Sequence, residues 1–157
     1  MSRWLMKSEP QVFGLEDLAA APGAQDRWDG VRSHQVRNMI RDHMAPGQTA
    51  LLYHSNIRPP GVVGVMEIVS DPYPDPTALD PEDPGHDPRA TAEAPRWYCV
   101  DVALRERLPR TVTLEMLRRL PAMEGSPLVR RGNRLSIVPL TEPQWQAILE
   151  LAHREEG

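Results

Sequence analysis

The hydrophobic and polar positions along the chain form short strand-like runs and helix-like stripes. Apolar, β-branched runs predict about five strands, at 3–6, 49–55, 62–70, 97–108 and 134–140. Helical spacing, or a short run between a cap and a breaker, predicts helices at 12–20, 34–44, 113–120 and from Thr141 onward. Neighbouring strands without helices between them favour a mixed or antiparallel sheet. The pattern therefore predicts an α+β protein with a small, partly closed barrel.

Capping residues mark three of the helix starts. Ser33 stands before the 34–44 stripe, and Thr113 stands before the next helix. Thr141 and Gln144 have capping-box spacing, and the helix they begin carries Trp145 on an apolar stripe that should pack on the core. The NIRPPG stretch between the second and third strand-like runs predicts a hairpin or a wide loop.

The composition points to a single domain without metal or disulfide chemistry. A chain of 157 residues suffices for one well-buried core, and we expect one domain over 1–157. A single cysteine, Cys99, excludes an internal disulfide, and no Cys or His pair has zinc-like spacing. We therefore expect no metal and no cofactor. Since no apolar run could span a bilayer and no charged-then-apolar leader opens the chain, we expect a cytoplasmic protein with no membrane partner.

One segment carries much of the acidic charge. Residues 71–95, called the acidic segment below, hold seven prolines and seven acidic residues. Proline blocks both helix and ladder hydrogen bonds, so this composition predicts an extended, solvated loop rather than a calcium site. The net charge of −4 argues against a protein that coats nucleic acid through a broad basic face. Because the rest of the chain is mildly basic, a small footprint with a local basic rim stays open.

The sequence offers no strong catalytic signature. It lacks a Gly-rich phosphate loop, a G-x-S-x-G elbow and an H-E-x-x-H helix. Ser8 with Glu9, His34, or His54 with Ser55 could form a nucleophile and its base, but any chain of this length offers such pairs. We therefore predict no catalytic residues and expect a protein that is not an enzyme.

Polar and aromatic residues are concentrated in four stretches at predicted strand ends, at 7–10, 27–38, 53–61 and 96–98. A pocket for a nucleic-acid base needs this combination: an aromatic wall, fixed donors and acceptors, and arginines for the flanking phosphates. Trp28 and Trp97 fit such a wall, and they fit a partly buried place in the core equally well. The stretches therefore predict a base-binding site and leave the role of the two tryptophans open.

Lys7 is the only lysine among the 18 basic residues of the chain. A lysine ammonium is a compact point charge on a flexible stem, whereas an arginine guanidinium is a planar fork. In a chain that otherwise uses arginine, Lys7 suggests a tight polar contact that a guanidinium would not fit. Chance, or a snorkelling side chain at the end of a strand, is the alternative interpretation.

Several of these stretches together resemble one family. The stretches that carry the resemblance are KSEP, WDGVRSHQVRNMIRDHM, GQTALLYHS, PPGVVGVMEIVSDPYPDPTALD, WYCVDV and RGNRLSIVPLTEPQW. The family is the EVE domain, and the similarity runs in the same order from about residue 3 to about residue 150. The EVE domain belongs to the PUA-like superfamily and is similar to the YTH readers of methylated adenine in RNA. The resemblance implies a PUA-like pseudobarrel of about five to six strands with peripheral helices.

The resemblance also implies a function. It points to a non-enzymatic reader that extracts a modified base, with 5-methyl- or 5-hydroxymethylcytosine in DNA as the ligand class and DNA favoured over RNA as the partner. An RNA-binding accessory domain that recognises modified RNA is the alternative, because PUA relatives mostly bind RNA. A small enzyme that acts on nucleotides is a less favoured third hypothesis.

The resemblance carries over to particular residues. The three motifs KSEP, WDGVRS and YHSN imply a base pocket formed by Lys7, Ser8, Glu9, Trp28, Arg32, Ser33, His54, Ser55 and Asn56. In YTH readers a second aromatic wall comes from the loop before the strand that resembles WYCVDV, and Trp97 is the first tryptophan available there. The phosphate rim is expected from Arg58, Arg130, Arg131 and Arg134.

Overall fold

The computed structural model describes residues 1–154. Its strands are β1 (Arg3–Ser8), β2 (Gln25–Trp28), β3 (Thr49–His54), β4 (Gly61–Ile68), β5 (Tyr73–Pro74), β6 (Tyr98–Thr113) and β7 (Ile137–Leu140). Its α-helices are α1 (Leu15–Ala20), α2 (His34–His43), α3 (Pro76–Leu79), α4 (Leu114–Arg118) and α5 (Glu142–His153). Single 3-10 turns lie at Pro22–Ala24, Pro121–Met123 and Pro127–Val129. No helix among the described residues is long and apolar enough to cross a membrane.

The strands form one sheet in the order β2-β6-β4-β3-β1-β7, and the short β5 pairs with β6 beside this path. β1 and β3 are parallel, whereas all the other pairs are antiparallel. In the parallel pair Lys7 is the register partner of Tyr53, and Ser8 is the partner of His54. The KSEP and YHSN stretches therefore lie side by side at one end of the sheet.

Hydrophobic residues pack on both faces of the sheet. Trp4 and Met6 belong to one buried cluster, which α2 covers through Ile40. Leu5, between them on β1, belongs to a second cluster, which α5 covers through Trp145. This alternation follows the two-residue period of a strand. The prediction that the last helix packs on the core through Trp145 is confirmed.

Most of the predicted elements are present. The α+β fold class is confirmed, and the predicted hairpin is the antiparallel pair of β3 and β4. The three predicted caps accept hydrogen bonds from the backbone of the first helical turn, at 3.4 Å for Ser33, 3.2 Å for Thr113 and 3.3 Å for Thr141. Each cap satisfies a backbone N–H that has no partner within its helix.

Several element boundaries differ from the prediction. β2 and β5 were not predicted, because four residues with three polar side chains and two residues around a proline carry no strand signal. β6 continues past Pro109 to Thr113 because the pairing with β4 shifts register between Arg107 and Val112. A proline is tolerated at such a bulge, where no ladder hydrogen bond is required.

The helix predicted at 12–20 begins later, at Leu15. The N–H groups of Val12 and Phe13 both donate to the Glu9 carbonyl at 2.9 Å, so the chain turns there before the helix starts. Similarly, the strand predicted at 134–140 begins at Ile137.

The acidic segment is not simply a solvated loop, which corrects the sequence prediction. It begins with β5 and the short helix α3, and the Asp75 side chain between them is completely buried. The physical reason is that Asp75 acts as the N-cap of α3 and also bonds to the loop that follows β2. Composition alone does not reveal such a partner on a distant part of the chain.

Candidate nucleic-acid-binding site

A cavity of about 420 Å³ lies between the end of β1 and β2. It is lined by Lys7, Ser8, Val12, Phe13, Asp26, Arg27, Trp28 and Asp29. We call it the β1–β2 cavity. Its volume lies in the range of small-ligand pockets. Three of the ten predicted base-pocket residues, Lys7, Ser8 and Trp28, line the β1–β2 cavity.

Trp28 and Phe13 form the aromatic part of the cavity. Their ring centres are 6.3 Å apart and their planes are at 89°, an edge-to-face contact. Trp28 is only 6% exposed and belongs to the hydrophobic core. The two interpretations of Trp28 are therefore compatible, because the same ring packs on the core and lines the cavity. Phe13 is an aromatic neighbour that the sequence pattern did not indicate.

Ser8 and the turn that follows it form the floor of this region. The Ser8 hydroxyl donates a short hydrogen bond to the carbonyl of Phe13, and the Ser8 carbonyl accepts from the N–H of Ser55 at 2.9 Å. The hydroxyl proton of Ser8 is thus already in use. Its oxygen remains able to accept a hydrogen bond from a ligand.

Lys7 lies at the same edge, with its ammonium nitrogen 5.7 Å from the centre of the Tyr53 ring. The contact is in the range of a cation–π interaction. Partial burial lowers the pKa of Lys7, and the structure shows no carboxylate partner for it among the described residues. Lys7 therefore offers a positive donor beside the cavity, and no ion pair with the described residues occupies it.

The carboxylates on the β2 side of the cavity differ in their bonding. Asp29 pairs with Arg27 at 2.8 Å, which leaves little net charge at this position. Among the described residues, Asp26 accepts only from the adjacent N–H of Arg27, at 2.7 Å. Neither residue was among the sequence-predicted site residues, although Asp29 stands in the WDG stretch.

The YHSN stretch supports the cavity from the β3 side rather than lining it. His54 accepts a hydrogen bond at Nε2 from the N–H of Leu15 at 3.1 Å, and partial burial lowers the pKa of its ring. Asn56 adopts a positive φ of 54°, and its carbonyl accepts from the Gln11 side chain at 3.2 Å. Since Ser55 bonds to the backbone of Ser8, this stretch fixes the position of the cavity's floor.

Arg32 points into an internal network instead of the cavity. Its guanidinium donates to the Val31 carbonyl at 2.9 Å, to Asp75 at 3.1 Å, to Thr77 at 3.1 Å and to the Gly85 carbonyl at 2.7 Å. The network connects the acidic segment to the loop between β2 and α2. Arg32 therefore holds the backbone next to Trp28 in place.

Asp75 is the centre of that network. It accepts from Gly30 N–H at 2.9 Å and from both the N–H and the hydroxyl of Thr77, at 2.8 and 2.7 Å. Gly30 has a φ of 81°, a conformation that glycine adopts without strain. Burial alone would raise the pKa of Asp75, but the hydrogen bonds from Thr77, Gly30 and Arg32 outweigh it and lower the pKa.

Trp97 lies in a separate cluster and does not line the β1–β2 cavity. It is 5% exposed, its indole N–H donates to Asp87 at 2.7 Å, and its ring stacks on His34 at 5.0 Å. The hydrogen bond from Trp97, assisted by the Arg89 N–H and by Arg96, lowers the pKa of Asp87 to about 2. For Trp97 the structure favours the buried alternative of the two left open by the sequence.

A second cavity, of about 630 Å³, contains most of the predicted phosphate rim. It is lined by Ser33, Gln35, Pro127, Arg130, Arg131, Gly132, Asn133, Arg134 and Leu135. Residues 130–134 are called the arginine loop below. Its three arginines are exposed and make no ion pair or side-chain hydrogen bond with the described residues. Arg58 is exposed in the β3–β4 loop and lines neither cavity, and Glu9 is exposed at the turn after β1.

The cavity is assembled from residues far apart in sequence, and some of them gave no signal. Lys7, Ser8 and Trp28 were predicted, whereas Val12, Phe13 and the neighbours of Trp28 were not. Phe13 falls within the helix predicted from residue 12, but that helix begins at Leu15, three residues later, and this boundary error hid its role. The described residues contain no grouping of three or more His, Cys, Asp or Glu side chains that could hold a metal ion.

The class of protein is an α+β pseudobarrel of the PUA-like kind. Its strand order, the helices on both faces of its sheet and the cavity at one end of the sheet define this class. A family model described as the EVE domain matches residues 2–151. The chain belongs to the EVE domain family.

The named relatives are similar along almost the whole chain. Thymocyte nuclear protein 1 of Danio rerio is 39% identical over 170 residues, which cover 98% of this chain and 73% of that protein. Thymocyte nuclear protein 1 of Homo sapiens is 38% identical over 170 residues, with 98% and 75% covered. The family assignment therefore rests on both ends of the chain as well as on its centre.

Solved structures agree with this assignment. A protein from Pseudomonas syringae is 44% identical with a TM-score of 0.90, covering 96% of this chain and 99% of that one. The human THYN1 protein, solved in complex with 5-methylcytosine containing DNA, is 38% identical with a TM-score of 0.89, covering 99% and 100%. A YTH domain from Zygosaccharomyces rouxii, solved with N6-methyladenosine RNA, is 17% identical with a TM-score of 0.57, which shows a likeness of fold alone.

Proposed function

We propose that this protein is a reader of modified cytosine in DNA, and that it holds the extruded base in the β1–β2 cavity. The observation that carries the proposal is the cavity itself, in which an aromatic wall meets a small set of polar groups. The human relative solved with 5-methylcytosine containing DNA supports the choice of ligand. Lys7, Ser8, Phe13, Trp28 and Asp29 are the residues expected to contact the base.

The energetics of this mode are consistent with the cavity. Extrusion of a base costs a few kcal/mol, which stacking and hydrogen bonds inside the protein offset. One methyl group in an apolar contact contributes about 1–3 kcal/mol of discrimination. We therefore expect a preference for methylated over unmodified cytosine of about tenfold or more.

The arginine loop is the expected contact for the phosphates that flank the base. Its exposed guanidinium groups have no internal partners among the described residues, so a phosphate does not compete with an existing ion pair. The footprint is small, and we expect only about two to four phosphates to be neutralised.

A binding function is favoured over catalysis by the hydrogen bonds of the candidate groups. The Ser8 hydroxyl donates to a backbone carbonyl, and His54 accepts from a backbone N–H at Nε2. Both groups are used to hold the loops at the sheet end. A nucleophile and its base would instead bond to each other.

The test is a calorimetric titration against matched oligomers. The DNA set carries one unmodified, methylated or hydroxymethylated cytosine in the same sequence, and the RNA set repeats it. We expect methylated DNA to bind most tightly. Equal affinity for methylated and unmodified DNA would contradict the proposal, and a tighter complex with methylated RNA would support the RNA alternative. Free nucleotides are added as a control, because their turnover would reveal an enzyme.

A further inference from the structure

Two exposed aliphatic side chains stand on the loops beside the β1–β2 cavity. Among the described residues the large hydrophobic side chains that are exposed are Met1 at 89%, Val12 at 78% and Ile57 at 41%. A single exposed aliphatic residue is ordinary on a protein surface. Apart from Met1, these residues are Val12 and Ile57. Both lie in loops that leave the parallel strands β1 and β3 at the same end of the sheet.

The two loops are joined to each other and to the cavity. The Gln11 side chain donates to the carbonyl of Asn56 at 3.2 Å, which links the residue before Val12 to the residue before Ile57. The Ser55 N–H donates to the Ser8 carbonyl at 2.9 Å, so the second loop starts against the cavity's floor. Val12 itself lines the cavity.

The loop that carries Val12 is held in a defined shape. The Val12 N–H and the next N–H both bond to the Glu9 carbonyl, and the Phe13 carbonyl accepts from the Ser8 hydroxyl. The Val12 backbone is thus fixed while its side chain faces solvent. A fixed loop that presents an apolar side chain costs little ordering entropy when that side chain is buried by a partner.

We propose that Val12 and Ile57 form a wedge that enters a DNA duplex where the modified base has left the stack. This inference rests on the proposed function and adds to it that the protein opens double-stranded DNA. Apolar side chains inserted between base steps are a known means of stabilising unstacked duplexes. The two side chains would fill the space that the extruded base leaves in the duplex. This space would lie on the side of the protein where the β1–β2 cavity receives the base.

The experiment compares a methylated duplex with the same methylated strand alone. The Ile57→Ser variant is used because Ile57 does not line the β1–β2 cavity. It is expected to lose about fivefold or more in affinity for the duplex, because unstacking a base step costs a few kcal/mol and half of the wedge is removed. Its affinity for the single strand should stay within about twofold of the wild type. Ile57→Leu, which keeps an apolar side chain at the same position, should bind the duplex as tightly as the wild type.

The outcomes separate this inference from the proposed function. If the variant binds duplex and single strand as the wild type does, or if wild type binds only the single strand, the wedge is wrong while methyl recognition stands. If wild type shows no methyl preference on either substrate, the proposed function fails. Thermal unfolding controls for folding, because Ile57 is exposed and its serine variant should keep the wild-type melting temperature.

Discussion

The acidic segment and the arginine loop carry opposite charges and use them in opposite ways. In the acidic segment, Asp75 and Asp87 bond to Arg32 and Arg96 and to backbone N–H groups inside the molecule. In the arginine loop the guanidinium groups are exposed and have no ion pair with the described residues. Net charge therefore does not locate a binding surface. The negative charges partly serve the fold, whereas the positive ones are available to a partner.

The largest effect is expected from Asp75→Ala. Removal of a fully buried carboxylate leaves the Arg32 guanidinium and the Gly30 N–H without their partner, and breaking a buried pair costs about 3–5 kcal/mol. Urea denaturation measures the loss in the free energy of unfolding. Glu93→Ala, in the same segment but exposed, is the matched control and should change stability by less than about 0.5 kcal/mol. Equal stability of the two variants would show that the segment is not anchored through Asp75.

Lys7, which has no ion pair within the described part of the chain, tests whether a cation at the cavity edge serves binding. Lys7→Met keeps the aliphatic stem and should lose about 1.5–3 kcal/mol of affinity for methylated DNA, the contribution of a charge-assisted hydrogen bond. Lys7→Arg should also weaken binding, because a planar fork does not fit the space of an ammonium. Both are measured by calorimetry. If Lys7→Arg binds as tightly as wild type, the lone lysine has no special role.

Arg131→Ala should leave stability unchanged and weaken binding to methylated and unmodified DNA equally. Arg131 is exposed and has no side-chain partner among residues 1–154, so it contributes little to the fold. The loss of one phosphate contact should reduce the log–log salt slope by about 1. Affinity is measured at several salt concentrations. A change in the methyl preference itself would place Arg131 at the base instead of at the phosphate rim.

The smallest effect is the acid sensitivity of the acidic segment. The pKa of Asp87 is lowered to about 2, so its stabilising contribution is present above the ordinary aspartate range and is lost as pH falls from about 4 to about 2. Asp87→Asn should therefore show a shallower decrease in melting temperature over this range than wild type. Identical pH profiles would mean that the hydrogen bond from Trp97 does not depend on the charge of Asp87.

The sequence revealed the local features of the fold better than the long-range ones. The caps at Ser33, Thr113 and Thr141 were predictable because each depends on residues within one turn of the chain. The burial of Asp75 was not, because its partner Arg32 is 43 residues away and composition marks the segment only as polar.

The candidate site was predictable only in part. Lys7, Ser8 and Trp28 stand in stretches that combine polar and aromatic residues, and they line one cavity. Trp97 has the same local signal, but its Asp87 partner draws it into a different cluster. Phe13 reaches the cavity because the turn after β1 brings it back to Ser8, and no periodic pattern reports a turn of this kind.

Base extrusion is the most direct test of the account. A duplex with one 5-methylcytosine and 2-aminopurine as its neighbour reports unstacking through an increase in 2-aminopurine fluorescence. The proposed base extrusion predicts that wild-type protein at saturation increases the fluorescence of the methylated duplex well above that of the unmodified duplex. Saturated binding to the methylated duplex without any increase would contradict it, because the base would then remain in the stack and the β1–β2 cavity would not receive it.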